Sequence, residues 1–391
     1  MAEAWAGPQQ RPGIFRWAAL GLMALLAACQ AVPHGRAPGA ARPTTTGSTP
    51  LTSALPEDQA RHRIALLVPI TGPNAVIGQS IANAANLAII DTGGKRLRMT
   101  TYDTGTGAIG AAQRAIADGN RLFLGPLLAA DVRQIAPIAG KAGIPIISFS
   151  NDDEIAGNGV YVMGFSPEQS IRRVVGYARS KGITRFAGLM PSGTNYGRNA
   201  SINLIKVTEA SGAQVVAMQT YARDQKSLAG AVSALGKAQG YDAVLIADSG
   251  RSALTAAPLI RKGSSPQAHI LGTELWNADA ALGASPSVRG AWYASVADGL
   301  FNQLAAKYRA RYGKAPSRLA SLGYDAVLLA VRIGAEWEVG TAFPTAKLED
   351  KGGFSGIDGA FRFGGSHVAE RALEVQEVGG AIVSAAPKGF D

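Results

Sequence analysis

The stretch 63–91, RIALLVPITGPNAVIGQSIANAANLAIID, constrains the fold more than any other. Residues 64–68 form an unbroken apolar run, the pattern of a parallel strand covered on both faces. Pro69 and the turn Thr71-Gly72-Pro73-Asn74 stop it. Ile77, Ile81, Ala84, Ala85 and Ala88 then recur at helical spacing, and Thr92-Gly93-Gly94 ends the helix. Such a strand–turn–helix unit opens an α/β body. It also sets the first sixty residues apart.

That leading segment reads differently. Arg11 and Arg16 precede a short apolar run, too short to span a bilayer, that ends in Leu26-Ala27-Ala28-Cys29. The ending resembles the bacterial lipobox. The resemblance implies cleavage before Cys29, lipidation of its thiol and acylation of the new terminus, and several acyl chains anchor firmly where one does not. Residues 1–28 are then a lipoprotein signal peptide. Residues 29–60 carry the lipidated cysteine and a Pro-, Thr- and Gly-rich tether with no apolar period. Gln30 stands where an Asp usually retains such lipoproteins in the inner membrane, which points to the periplasmic face of the outer membrane.

Beyond residue 61 the two periods alternate. Strands are expected at 97–102, 121–124 and 144–148, with helices at 111–118 and 129–141 between them. The pattern restarts after 161–165. Strands at 186–190, 214–220, 243–247 and 269–271 alternate with helices from 167, 198, 228 and 254. The expected fold class is α/β, with two doubly wound parallel-sheet lobes. Residues 291–295 read as a crossing strand, and 301–312 and 319–338 as helices. The alternation at 359–363 and 373–378 reads as a short antiparallel ending.

Composition excludes several functions. The net charge is +10, but Lys and Arg are scattered, and no basic-aromatic motif of a nucleic-acid module is present. The single cysteine excludes an internal disulfide framework and a multi-cysteine metal site. GxSxG, HExxH and Walker motifs are absent, so the chain reads as non-catalytic and cofactor-free. Gly105 to Gly110 spell GxGxxG, but after the second strand rather than the first, which argues against a dinucleotide site. Asp152, Asp153 and Glu154 read as a solvated acidic loop.

The ordered series IALLVPITGPNAVIGQSIANAANLAI, RLFLGPLLAADVRQIAPIAGKAGIPIISFS, PSGTNYGRNA, GYDAVLIADSG and GAFRFGGSHVAERALEVQEV resembles the type I periplasmic-binding-protein fold of the leucine-binding kind, over about 61–385. The resemblance implies two lobes joined by three crossing segments, with ligand in the cleft between them. Carried over, 61–165 plus 291–350 form lobe 1, and 166–290 plus 351–385 form lobe 2. Two subfamilies fit. Lipoprotein activators of penicillin-binding proteins are the closer, on the lipobox, the tether, the TGP turn and the loop Ser150-Asn151-Asp152. The other is the receptors of branched-chain amino-acid ABC transporters, which dock on a permease. The helical-repeat domain that precedes the fold in some activators is absent.

The resemblance places candidate ligand contacts at Thr71, Asn74, Leu127, Ser148, Ser150, Tyr196, Asp248 and Glu274, in loops at the carboxyl ends of strands. Ser148 and Ser150 match the family's hydroxyl pair for a ligand carboxylate, and Asp248 or Glu274 would meet an ammonium. Tyr196 would close over the ligand. Trp276 reads as lobe packing before cleft wall. Leu127, Leu128 and Ala129 stand where a small hydroxyl residue is usual, which argues against a plain amino-acid carboxylate site.

Overall fold

The computed structural model describes residues 60–387, except 239 and 280. Cys29, the signal peptide and the tether up to residue 59 lie outside the described residues.

Strand β1 (His62–Val68) is apolar on both faces because both are covered. It pairs in parallel with β2 (Leu97–Asp103) on one side and β3 (Phe123–Leu124) on the other. With β4 (Ile146–Ser148) and β5 (Val160–Val162) they form a parallel sheet of order β2-β1-β3-β4-β5. Helix α1 (Ala75–Asp91) packs on one face, burying Ile81, Ala84, Ala85 and Ala88 against Ile64, Leu66 and Val68. Helices α2 (Ala108–Ala117) and α3 (Ala129–Lys141) cover the other face over Ala65 and Leu67. Each fully buried Leu or Ile contributes about 1.5–3 kcal/mol. Gly78 is required: a Cβ there would lie 1.9 Å from the Pro69 carbonyl oxygen.

The second lobe repeats the scheme. Helix α4 (Pro167–Ser180) starts on Ser166, whose hydroxyl accepts from the Glu168 N–H, with Pro167 in the first turn. Then follow β6 (Arg185–Pro191), α5 (Asn195–Ala210), β7 (Gln214–Tyr221), α6 (Gln225–Leu235), β8 (Ala243–Ile246), α7 (Gly250–Arg261) and β9 (His269–Gly272). Thr194, Asp224 and Ser249 cap α5, α6 and α7 through their side chains. Helices α4 and α5 cover one sheet face over Phe186 and Leu245, and α6 and α7 the other over Leu189 and Ile246.

The lobes exchange chain at points that differ from the expected division. Strand β10 (Trp292–Ser295) pairs in parallel with β9, inside the second sheet. Ala294 and Val296 are buried in that sheet's core, so the chain leaves lobe 2 after β10 rather than before it. Helices α8 (Gly299–Tyr312) and α9 (Ala320–Gly334) then pack on α1 in lobe 1. Gly323 lets α9 approach, since a Cβ there would meet the Ile81 carbonyl oxygen at 2.5 Å. Strands β11 (Phe354–Gly356), β12 (Gly359–Phe363) and β13 (Ala369–Arg371) form a small antiparallel sheet. They belong with lobe 1, not with the tail of lobe 2: Phe354, Phe361, Phe363 and Ala369 are buried in the first core, and Val368 bridges Val162. Only β14 (Glu374–Glu377) and β15 (Ile382–Ser384) return to the second sheet, whose order is β15-β14-β10-β9-β8-β6-β7. The crossings therefore fall between β5 and α4, between β10 and α8, and between β13 and β14.

Buried charges hold the crossing region. Arg371 donates to the Met163 carbonyl oxygen at 2.6 Å, and its guanidinium lies over the Phe165 and Phe361 rings. Gln169 of α4 donates to the Ala369 carbonyl and accepts from the Arg371 N–H. Asp325 accepts from the Ile357 and Asp358 N–H groups; burial, then the neighbouring Asp358, push its carboxyl above the usual range.

Candidate functional site

The carboxyl ends of both sheets face a cavity of about 540 Å³. Lobe 1 contributes Asn74 and Ile77 at the start of α1, Leu127 and Leu128 after β3, and Phe149 and Asn151 after β4. Lobe 2 contributes Arg223 after β7 and a short 3-10 turn, Glu274–Ala278, after β9. The crossing segments add Phe165, Ser295 and Val296, and the turn before α9 adds Ser317, Arg318 and Leu319. The lining is mostly apolar, with a few polar groups set into it, as in small-molecule sites. Helices α1 and α3 have no side-chain cap, and their N-cap residues, Asn74 and Leu128, both line the cavity. The Ala75 and Ile77 N–H groups donate to the Gly72 and Asn74 carbonyls, and Asp131 stands in the first turn of α3, so what these starts offer a negative group is chiefly the positive end of each helix dipole.

Glu274 is the buried acid of this cavity. Its carboxylate accepts from the Ser170 hydroxyl and, at 2.9 Å, from the Tyr196 hydroxyl. Desolvation outweighs those hydrogen bonds and raises its pKa to about 7. Near neutral pH the group exchanges between carboxylate and carboxylic acid, so it can accept from a ligand cation or donate to a ligand oxygen.

Of the eight residues expected from sequence, Asn74, Leu127 and Glu274 line the cavity; the others do not. Ser148 is fully buried and donates to the Pro126 carbonyl, while its oxygen accepts from the Ser150 N–H. Ser150 in turn accepts from the Asp152 N–H. Both hydroxyls hydrogen-bond the local backbone, and that of Ser148 spends its proton there. Thr71 is exposed and donates to Asp103 at 2.7 Å, closing its turn onto β2. Tyr196 is buried behind Glu274. Burial, then the Glu274 charge, push its phenol well above the ordinary value. Asp248 is buried too, accepting from Tyr221, Ser252 and Arg223. It holds Arg223 at the cavity wall rather than meeting ligand. Trp276 is 1% exposed and sits in the second core, folded back over Gly272.

Arg223, Arg318, Asn151 and Asn277 line the cavity without having been picked out from sequence as ligand contacts. Arg223 follows a strand end and precedes a helix, a position the strand-end rule could have flagged. Asn151 lay in a loop already singled out. Arg318 and Asn277 carried no local signal. The Arg318 side chain is 9% exposed; it donates to Asp358 at 2.7 Å and lies over the Phe301 ring.

The acidic loop is not the solvated face expected from sequence. Asp152 is 3% exposed and accepts from Arg133 in lobe 1 and, at 2.6 Å, from Asn195 Nδ2 in lobe 2. Asp153 accepts from Asn199 of lobe 2 at 2.9 Å, and burial raises its carboxyl above the usual range. The lobes are thus bridged beside the cleft. Among the described residues, no group of three or more His, Cys, Asp or Glu is placed to hold a metal.

Two α/β lobes exchanging chain three times, with a cavity at the facing strand ends, define a cleft-binding protein. A sequence model of the periplasmic binding protein family matches residues 62–381, and the chain belongs to that family. An uncharacterized protein of Rickettsia prowazekii is 27% identical over 139 residues, 35% of this chain and 37% of that protein's length. Solved structures share the fold at low identity. A solute-binding protein of an ABC transporter from Rhodopseudomonas palustris, in complex with 3,4-dihydroxybenzoic acid, is 20% identical, with a TM-score of 0.67 over 85% of this chain and 98% of its own. A putative branched-chain amino-acid ABC transporter protein from Rhodospirillum rubrum is 20% identical, with a TM-score of 0.69 over 83% and 99%. The branched-chain amino-acid binding protein LivJ from Streptococcus pneumoniae, in complex with isoleucine, is 17% identical, with a TM-score of 0.63 over 84% and 99%.

Proposed function

We propose that this chain is a non-catalytic envelope receptor that holds a small carboxylic acid with an apolar body in its interlobe cleft and presents it to an ABC permease. The carrying observation is the cavity itself. It is about 540 Å³, apolar for most of its wall, with uncapped helix starts at Asn74 and Leu128 on one side and Glu274 on the other. The helix starts and Arg223 suit a carboxylate, Phe149 and Phe165 an apolar or aromatic body, and Glu274 an ammonium or hydroxyl. Ligands of the kind bound by the structural neighbours, isoleucine and hydroxylated benzoates, match that pattern. Ser148 and Ser150 do not line the cavity, and the carboxylate is held by the helix starts and Arg223 instead.

A second reading, an activator of penicillin-binding proteins acting by protein contact, is favoured by the bridges from Asp152 to Asn195 and Asp153 to Asn199. Lobes joined by their own side chains present a fixed surface. In either reading a lipid on Cys29 and a tether up to residue 60 give the body its place and reach in the periplasm.

Thermal denaturation against isoleucine, benzoate and 4-hydroxybenzoate separates the two. A receptor melts higher with its ligand, by about 2.7 kcal/mol of added stability at a hundredfold excess over Kd. No shift with any of them, together with co-purification of a penicillin-binding protein, decides for the activator.

A further inference from the structure

We propose that the outer face of α5, with the edge of β7 beside it, is a self-association surface that takes a second copy of this chain across a twofold axis. Strand β7 is the last strand of the second sheet, and its sequence QVVAMQTY has no charge and no proline. Val215, Val216, Ala217 and Met218 are only half-buried. Sheet edges are usually guarded by lysine, proline or a covering segment, because an open row of backbone groups pairs readily. This edge has none of those guards within it.

The helix next to it supplies the complementarity. Arg198, Ile202, Ile205 and Glu209 follow one another at i, i+4, i+7 and i+11, so they form one stripe along α5. All four are exposed, Ile202 at 63% and Ile205 at 42%. The order along the stripe is cation, apolar, apolar, anion, and it is symmetric about the point between the two isoleucines. A twofold axis through that point sets Ile202 against Ile205 of the other copy and Arg198 against Glu209 of the other copy, twice. One patch thus satisfies itself, as an isologous contact requires. Among the described residues neither charge meets an opposite charge: Arg198 donates to the neutral Asn195 Oδ1 at 2.6 Å, and the Glu209 carboxylate has no side-chain partner. A dimer of standard size buries about 800 Å² per partner, more than one helical stripe. The stripe continues into a groove of about 400 Å³ lined by Ile205, Glu209 and residues 214–218, which joins it to the β7 edge. Asn195, which Arg198 holds, also reaches Asp152 across the cleft, so the contact abuts the bridge between the lobes.

Light-scattering mass measurement of the full chain in detergent, across a concentration series, tests the surface. The expected result is a mass of two protomers that falls to one on dilution. Glu209→Arg and Arg198→Glu each weaken the dimer about tenfold, and the two together restore it, because both ion pairs are then reversed in place. Ile205→Asp gives a monomer with an unchanged circular-dichroism spectrum; should it fail to fold, the charge reversals carry the test alone. A monomer at every concentration, a dimer indifferent to Glu209→Arg, or single-variant losses that the double reversal does not repair each overturn the proposal.

Discussion

Asn195 donates from Nδ2 to Asp152 Oδ2 at 2.6 Å, and so joins the start of α5 in one lobe to the loop after β4 in the other. Arg133 holds the same carboxylate oxygen from within lobe 1. The bridge uses a charged acceptor that is almost fully buried, which makes each hydrogen bond stronger than a neutral exposed one.

Asn195→Ala removes the interlobe half of that arrangement and leaves Arg133 in place. The expected loss is about 1–2 kcal/mol, with a larger radius of gyration for the ligand-free protein. Small-angle scattering reads the second effect. An unchanged scattering curve would mean that the crossing segments alone set the lobe angle.

Glu274 makes stability depend on pH in a defined direction. Its folded pKa is raised to about 7 from an ordinary 4.5, chiefly by desolvation. The stabilisation from its bound proton is fully present below about pH 4.5 and is lost as pH rises through about 7, because there the unfolded chain has already released the proton. Urea unfolding should therefore show stability from this group falling across that window, and Glu274→Gln should flatten the fall. Asp325 and Asp153, raised in the same direction by burial, leave a residual slope. His62 and His269, lowered by burial, act in the opposite sense inside that window, and Asp91 and Asp103, whose carboxyls are lowered, do so below it.

Ala278 lines the cavity and its side chain is exposed there. Ala278→Trp fills the cleft without touching either core. Its stability should stay within about 0.5 kcal/mol of the parent. The rise in melting temperature given by the parent's ligand should vanish. A variant that still responds in full would place the ligand elsewhere.

Gly272→Ala tests the packing under Glu274. A Cβ at that position would lie 2.2 Å from the Trp276 indole, which is buried and has no room to retreat. The expected cost is about 3 kcal/mol, read as a lower urea midpoint at an unchanged m-value.

The site was legible only in part. Loops at strand ends pointed to the cleft, and Asn74, Leu127 and Glu274 line it. Ser148 and Ser150 have the residue type of a ligand contact, but their hydroxyls serve the backbone of their own turn. Asp152 and Asp153 looked like solvent-facing acids until α5 was brought against them. Arg318 reaches the cavity wall from a turn after α8, far along the chain from any strand end.

By itself the sequence determined the α/β class, the order of strands and helices along the chain, and the burial of β1 on both faces. Apolar runs and helical periods report the burial of each segment, and burial is a local property of the pattern. The tertiary structure alone decided where the chain crosses between lobes, with β10 in the second sheet and β11 to β13 on the first core. It alone decided which polar groups remain free for a ligand. A side chain's hydrogen-bond partner is chosen by what folds against it, and for Asp152, Glu274 and Arg318 those partners come from distant parts of the chain.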